Sequence, residues 1–397
     1  MTTINGTTMG STAQMALGAT TSKAATRGLI LLALLLIIPA AGATQEETPR
    51  IQIAILIDTS GSMSGLINQA KTQLWKVVNE FATAERDGLR PELEVALYEY
   101  GKSSLSGEEG YIRMILPLTT DLDAVSEELF VLTTNGGDEY CGWVIQDAVT
   151  DLAWSRSHND LKAIFIAGNE PFTQGGVDFR ESCRASIARG IVVNTIHCGS
   201  YEDGRSGLWE EGARLADGKY MNIDHDRDLV HIDAPQDAEI ARLGAELNTT
   251  YVPYGASGDA SASRQEAQDT NAMAAAPAAA AQRTLFKASV HYKNAEWDLV
   301  DAVKGGQIDL EELKDLDDEA LPEELREMTP EERLACIEEN SRKRTAIQDE
   351  ITRLNEERKQ YVAEKMRELG EDGTSTLDEA MITAIREQAE ARKFVFK

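Results

Sequence analysis

Short apolar runs alternate with amphipathic helical patterns from about residue 50 to residue 228, and this alternation constrains the fold more than any other feature. Continuous apolar runs are typical of parallel strands covered on both faces, and intervening helices are typical of βαβ units. The pattern therefore predicts an α/β fold, a doubly wound sheet of about six strands flanked by helices. The predicted strands are 51–57, 92–100, 111–118, 161–167, 191–197 and 219–223.

Composition divides the rest of the chain into three regions. Residues 229–255 are predicted to extend the sheet domain with a helix, and residues 256–282, which lack aromatic side chains, to form an Ala/Ser-rich linker or a marginally stable helix. Residues 283–397 are predicted to be mainly α-helical, because Glu, Arg and Lys alternate with spaced apolar residues. We interpret them as a charged helical hairpin or short coiled coil, with Arg358 interrupting the apolar seam and favouring packing within the chain.

The N-terminal residues have the order of a secretory signal peptide. Lys23 and Arg27 precede an apolar run over 28–42, which closes on the small-residue sequence Ala41-Gly42-Ala43. The sequence therefore predicts a signal peptide at 1–43 and an exported protein, either periplasmic or secreted. The run is shorter than the roughly 20 residues of a membrane span, and an uncleaved segment anchored in the inner membrane is the alternative.

The chain is strongly acidic, with a formal net charge of −28 at pH 7. A charge of this size repels nucleic acid phosphates and anionic lipid surfaces, so nucleic acid is not expected as a partner. It favours divalent cations and basic partners instead.

The first predicted strand runs directly into Asp58-Thr-Ser60-Gly61-Ser62. Such a strand delivers a carboxylate to the carboxyl edge of a parallel sheet, where open α/β folds bind their ligands. Asp58, Ser60 and Ser62 alternate along the turn, so their oxygens can converge on one point, and Gly61 permits the tight turn. Hard oxygen donors suit Mg²⁺, with Ca²⁺ and Mn²⁺ as alternatives. The competing interpretation is that Ser60 or Ser62 caps the following helix.

This DxSxS sequence resembles the metal-ion-dependent adhesion site of von Willebrand factor A domains, which have a Rossmann-like sheet, and the resemblance covers about residues 50–228. It implies that a divalent metal is held by the DxSxS loop, by a residue of a second loop and by an Asp of a third loop. It also implies a protein partner that offers an acidic side chain to the metal.

The second loop contains Gly136-Gly137-Asp138, where the family usually has Thr after the glycines. The resemblance therefore implies Asp138 as a metal ligand, with Thr134 as a weaker candidate. The alternative for Asp138 is an N-cap of the helix predicted over 142–154.

The third loop departs from the family pattern, because Gly168 occupies the position of the expected Asp. Asn169 and Glu170 follow it and are weaker candidates for ligands. Our working hypothesis is that Asp138 replaces the charge that is absent at position 168.

The cysteines offer two further hypotheses. Cys141, Cys183 and Cys198 are expected near one sheet edge, where Cys198 would form a disulfide with either of the others, or all would remain buried thiols. The pair His197-Cys198 suggests a nucleophile, but the sequence identifies no activating partner and no oxyanion loop.

Acidic runs elsewhere, Asp224, Asp226 and Asp228 among them, are interpreted as solvated turns, and the sequence contains no GxxxxGK[ST], HExxH or GxSxG motif. We therefore expect a binding module rather than an enzyme, with no small-molecule substrate, that engages a protein partner through a divalent cation. One alternative is a structural component of a periplasmic or surface assembly that uses no metal. The other is a hydrolase dependent on Cys198 or His197.

Overall fold

The computed structural model describes residues 48–223, 232–369 and 377–396. The predicted signal peptide at 1–43 and the acidic run Asp224, Asp226 and Asp228 lie outside these residues. The strands of the described residues are β1 (Arg50–Asp58), β2 (Ala84–Glu85), β3 (Glu92–Tyr100), β4 (Ile112–Thr119), β5 (Leu161–Gly168), β6 (Val192–Cys198), β7 (Tyr220–Ile223) and β8 (Val395–Phe396).

Helices separate most of the strands and dominate the second half of the chain. They are α1 (Ser64–Phe81), α2 (Leu122–Val131), α3 (Cys141–Asp151), α4 (Phe179–Ala188), α5 (Tyr201–Ser206), α6 (Trp209–Leu215), α7 (Asp237–Asn248), α8 (Gly258–Ala275), α9 (Pro277–Ala288), α10 (Leu299–Lys304), α11 (Leu310–Asp315), α12 (Glu323–Arg326), α13 (Pro330–Leu369) and α14 (Leu377–Glu390). Two short 3₁₀ helices cover Gly107–Glu109 and Asp318–Ala320.

The main sheet has six strands in the order β4-β3-β1-β5-β6-β7. All neighbouring pairs are parallel except β3 with β4, which are antiparallel. The chain steps from β1 to one side of the sheet and later returns to the other side at β5. The strand order therefore reverses between β1 and β5, and the carboxyl ends of these two strands form the switch point at which doubly wound folds bind ligands. The predicted α/β fold is confirmed.

The central strand β1 is buried on both faces of the sheet. Ile51, Ile53 and Ile57 belong to an apolar core shared with α1, α2 and α14. Ala54 and Leu56 face the opposite core, which α3, α4 and α6 cover. Burial on both faces explains why β1 is a continuous apolar run rather than an alternating one.

Residues 256–282, predicted to form a linker or a marginally stable helix, are mostly helical and packed. α8 lies against α1, α2 and α9 in this structure. The polar side chains of α8 are buried through specific hydrogen bonds: Gln268 accepts from Ser126 at 2.9 Å, and Gln265 donates to the Tyr292 hydroxyl at 3.0 Å. Alanine has the highest helix propensity of all residues and lets helices approach closely, so a segment without aromatic residues still packs here.

The predicted hairpin of residues 283–397 is not formed as expected, because its two long helices pack on different partners. α13 lies against α7, α9 and α10, whereas α14 lies against α1 and the strands β5, β6 and β7. Arg358 is buried on α13 and pairs within the chain with Asp237 at 2.5 Å. Although α13 has 40 residues, it is densely charged, and nowhere in the described part of the chain does a helix combine the length and apolarity of a membrane span.

Candidate cation site

Asp58 is the last residue of β1 and lies at the switch point of the sheet. Its carboxylate is buried, and Oδ1 accepts a hydrogen bond from the Ser60 backbone N–H at 2.7 Å. Ser60 is buried beside it, whereas Ser62 is exposed at the mouth of the turn. The first loop therefore places two hydroxyls and one carboxylate at a single edge.

Helix capping does not account for the two serines. The N-cap of α1 is Met63, and no side-chain hydrogen bond caps the helix. The carbonyl of Ser60 instead accepts from the Met63 backbone N–H at 3.1 Å, which closes the turn. Ser60 and Ser62 thus present their hydroxyls without the competing role that the sequence had left open.

The second loop is fastened to the first through its backbone. The N–H of Asn135 donates to the Thr59 carbonyl at 3.1 Å, and the N–H of Ser103 donates to the Gly136 carbonyl at 2.7 Å. The Ser103 hydroxyl also donates to the Asn135 side chain at 2.9 Å. These bonds fix the loop against the edge that carries Asp58.

Glu139, rather than Asp138, is the residue of this loop that turns towards Asp58. Asp138 is exposed, and its carboxylate accepts from the Tyr140 hydroxyl at 3.4 Å. It does not cap α3 either, because the N-cap of α3 is Tyr140 and has no side-chain bond. Glu139 is only 4% exposed. The second carboxylate near Asp58 therefore belongs to Glu139, one residue after the expected Asp138. Thr134 lies half-buried in the same loop.

Gly101 leaves room for the carboxylates of Asp58 and Glu139 to lie close together. A Cβ at this position would lie 2.8 Å from Cγ of Glu139 and 2.9 Å from Oδ1 of Asp58. Its φ of +79° is also a conformation that only glycine adopts without strain. Any side chain at 101 would therefore push the carboxylates apart.

The third loop contributes Asn169 and Glu170 beyond β5. The Asn169 side-chain N–H donates to the Ser62 hydroxyl at 3.1 Å, so this residue reaches the DxSxS turn. Glu170 accepts from Gln174 at 3.0 Å, and its backbone carbonyl accepts from Trp209 at 2.8 Å. Of the two weaker candidates, Asn169 is the one that touches the first loop.

Burial and mutual repulsion raise the pKa values of the carboxyl groups of Asp58 and Glu139. Desolvation raises the pKa of Asp58 to about 7, although the Ser60 N–H and hydroxyl lower it in part. Desolvation, followed by the charges of Asp58 and Glu170, raises the pKa of Glu139 to about 8. A positive ion at this edge would relieve both effects, since it favours the charged form of each carboxyl.

Two buried side-chain oxygens at this edge, Oδ2 of Asp58 and Oδ1 of Asn169, accept no hydrogen bond of ordinary geometry from the described residues, although the Asn169 backbone N–H lies near enough to the Asp58 carboxylate to lower its pKa. Buried acceptors are normally satisfied, and an ion is one of the few groups that can satisfy two acceptors together. In the described ranges, no three His, Cys, Asp or Glu side chains are grouped closely enough to hold a metal. A cation here would therefore depend on the serine hydroxyls and on water as well as on carboxylates, as Mg²⁺ commonly does.

The cysteines and His197 were the remaining candidates from the sequence. Cys141, Cys183 and Cys198 are buried free thiols, so the disulfide alternative is not observed. Burial raises the pKa of Cys183 to about 12, which disfavours the nucleophilic thiolate. His197 is buried, with Nε2 at 3.3 Å from the Asn169 carbonyl, and therefore lies against the third loop.

Sequence reasoning missed Glu139, and only one signal pointed to it. Glu139 follows Asp138 directly, so two carboxylates stood in the loop. A loop has no periodicity to show which of two neighbours turns inward. The choice depends on Gly101, on a different loop, where the missing side chain leaves room for Glu139.

Comparison with known proteins gives solved structures only, since no protein-family model and no curated protein matches the chain. Conserved hypothetical protein BatB from Bacteroides thetaiotaomicron is 18% identical with a TM-score of 0.34, covering 44% of this chain and 90% of that one. The SpRpn10 VWA domain is 17% identical with a TM-score of 0.33, covering 45% and 91%. Proximal thread matrix protein 1 from the mussel byssus, with a zinc-occupied MIDAS motif, is 14% identical with a TM-score of 0.35, covering 45% and 43%.

The fold assignment rests on the sheet itself. Its strand order is that of a doubly wound domain, with one antiparallel edge strand. The DxSxS turn follows the central strand at the switch point of this sheet. Residues 50–223 thus form a doubly wound α/β domain with the DxSxS turn at its switch point, which is the arrangement that the resemblance to von Willebrand factor A domains implied.

Proposed function

We propose that this chain is an exported binding module that holds a divalent cation at the DxSxS turn and engages a protein partner through it. The observation that carries the proposal is the pair of buried oxygens, on Asp58 and Asn169, that accept no hydrogen bond of ordinary geometry from the described residues, beside two serine hydroxyls that cap no helix. Acceptors arranged without donors are the arrangement that a hard cation requires.

Asp58, Ser60, Ser62, Glu139 and Asn169 are the residues that would hold the ion. The ion would supply a positive charge and an open coordination position for an oxygen of the partner, for which an acidic side chain is the best match. Ser62 and Asn169 lie at the exposed mouth of the site, where a partner can approach. Mg²⁺ is the first candidate, with Ca²⁺ and Mn²⁺ as alternatives.

The proposal assigns a binding role rather than catalysis. Burial raises the pKa of the Cys141 and Cys183 thiols, which disfavours their thiolates, and none of the motifs of phosphate, zinc or serine chemistry occurs in the sequence. Export is part of the proposal and rests on the order of the first 43 residues. N-terminal sequencing of the protein recovered from the cell envelope and medium tests it, and a chain that still begins before residue 43 contradicts cleavage.

Isothermal titration with Mg²⁺, Ca²⁺ and Mn²⁺ in turn tests the cation site. We expect wild-type binding to be lost in Asp58→Ala and weakened by about tenfold or more in Glu139→Gln. Asp138→Asn is the matched control, because it removes a neighbouring charge that is exposed and turned towards Tyr140. If Asp138→Asn weakens binding and Glu139→Gln does not, Asp138 rather than Glu139 holds the ion, and the proposed role of Glu139 is wrong.

Partner binding is tested by affinity capture from an envelope extract, with Mg²⁺ and with EDTA. The proposal requires a specific partner that is retained with the ion and released by EDTA, and that Asp58→Ala does not retain. Retention that is equal in all three conditions would instead support a structural component that uses no metal.

A further inference from the structure

A wide cleft lies at the end of the sheet opposite the cation site. It has a volume of about 1640 Å³ and is lined by residues at the amino ends of β1 and β3, including Arg50 and Glu92, and by the loop 289–296. β1 has nine residues, so at about 3.3 Å per residue the cleft begins roughly 26 Å from Asp58. The two features are therefore separate surfaces.

The acidic residues of the cleft are largely neutralised by arginines. Five of the lining carboxylates have an arginine partner, and Glu296 is the exposed exception. The pairs are Glu92 with Arg50 at 3.5 Å, Asp121 with Arg264 at 2.6 Å, Asp123 with Arg283, Asp160 with Arg86 at 3.6 Å, and Asp301 with Arg344 at 2.7 Å.

The cationic residues of the cleft are not neutralised to the same degree. Arg156, Lys293 and Lys304 line the cleft, are exposed, and have no ion-pair partner in the part of the chain that is described. Two donors are also buried here without an acceptor among the described residues, Nε of Arg264 and Nδ2 of Asn294. The accessible surface of the cleft thus offers positive charge, in a chain whose net charge is −28.

We propose that this cleft binds an acidic segment of a partner polypeptide in extended conformation. Carboxylates on such a segment would pair with the exposed side chains of Arg156, Lys293 and Lys304. The volume favours a polypeptide over a small anion, because pockets for small molecules are usually about 300–1,000 Å³. The inference does not depend on the cation site.

A fluorescein-labelled oligoglutamate peptide is the probe, with binding to the full chain followed by fluorescence anisotropy at low ionic strength. We expect saturable binding that weakens as salt is added. The variant Arg156→Glu/Lys293→Glu/Lys304→Glu should weaken binding by at least about tenfold, since three attractive charges become repulsive. The substituted side chains are exposed, so the fold is retained, which circular dichroism verifies.

The matched control reverses three exposed charges outside the cleft, in Arg184→Glu/Arg214→Glu/Arg367→Glu. Its affinity for the peptide should equal that of the wild type, apart from a small decrease caused by the more negative net charge of the protein. EDTA and Asp58→Ala should leave peptide binding unchanged, which separates this site from the proposed cation site. Equal weakening in both triple variants, no binding at low ionic strength, or tighter binding of inorganic tripolyphosphate than of the peptide would each overturn the proposal.

Discussion

Gly168 stands where the resemblance to von Willebrand factor A domains implied an Asp, and the structure explains why a side chain is not accommodated there. A Cβ at 168 would lie 2.5 Å from the Tyr100 hydroxyl oxygen and 3.0 Å from Oδ2 of Asp58. Tyr100 is fully buried, and its hydroxyl donates to the Ala167 carbonyl at 3.0 Å, so the ring cannot move away cheaply. We therefore predict that Gly168→Ala lowers the free energy of unfolding by about 2–3 kcal/mol, the cost of overpacking a core by a methyl group.

Gly136→Ala is the matched control, because a Cβ at 136 would meet no atom within 4 Å. It should change the free energy of unfolding by less than about 0.5 kcal/mol. Urea denaturation followed by circular dichroism, with linear extrapolation, measures both values.

A double-mutant cycle with Tyr100→Phe then isolates the contact. Alone, Tyr100→Phe should cost about 1 kcal/mol through its lost hydrogen bond. Combined with Gly168→Ala, it removes the oxygen that the new methyl group strikes, so the double variant should be about 1–2 kcal/mol more stable than the sum of the single changes predicts. Strict additivity, or equal costs for Gly168→Ala and Gly136→Ala, would refute the reasoning.

Three further predictions concern the rest of the molecule. Burial raises the folded-state pKa of Asp58 to about 7 and that of Glu139 to about 8, both above their ordinary values. The cation-free protein should therefore lose about 2–4 kcal/mol of stability as the pH rises from about 4 to 8. Asp58→Asn should flatten this pH profile of stability, which urea denaturation measures. A chain that ends at Leu369 lacks α14 and should unfold at a much lower urea concentration, because the apolar face of the sheet is uncovered. Arg344→Met leaves the buried Asp298 carboxylate unpaired and should cost about 3–5 kcal/mol, whereas a cost below 1 kcal/mol contradicts a role for this ion pair.

The sheet could be predicted from sequence because its signals are local. The central strands β1 and β5 are largely apolar runs, and the run of β1 ends directly on Asp58, which places the carboxylate without any knowledge of the rest of the chain. The loops gave no such signal. Whether Asp138 or Glu139 turns inward is decided by space at Gly101, about forty residues away along the chain.

The helical region was harder to predict because its stability depends on partners distant in sequence. The polar residues of α8 suggested a linker, yet Gln268 is 1% exposed and bonded to Ser126, 142 positions earlier. Arg283 is likewise 1% exposed and pairs with Asp123 across the same interface. From composition alone, such polar side chains are expected to be exposed to solvent. Their burial depends on hydrogen-bond partners that are distant in sequence, and composition does not reveal these partners.

The position of α14 has a consequence for biogenesis. This helix fills the core beneath β5, β6 and β7, and the backbone N–H of Leu377 donates to Gln69, 308 positions earlier, at 3.2 Å. α14 is thus synthesised well after the strands that it covers, and contacts between such remote segments form slowly. On a nascent chain, this face of the sheet would stay uncovered until α14 had been made.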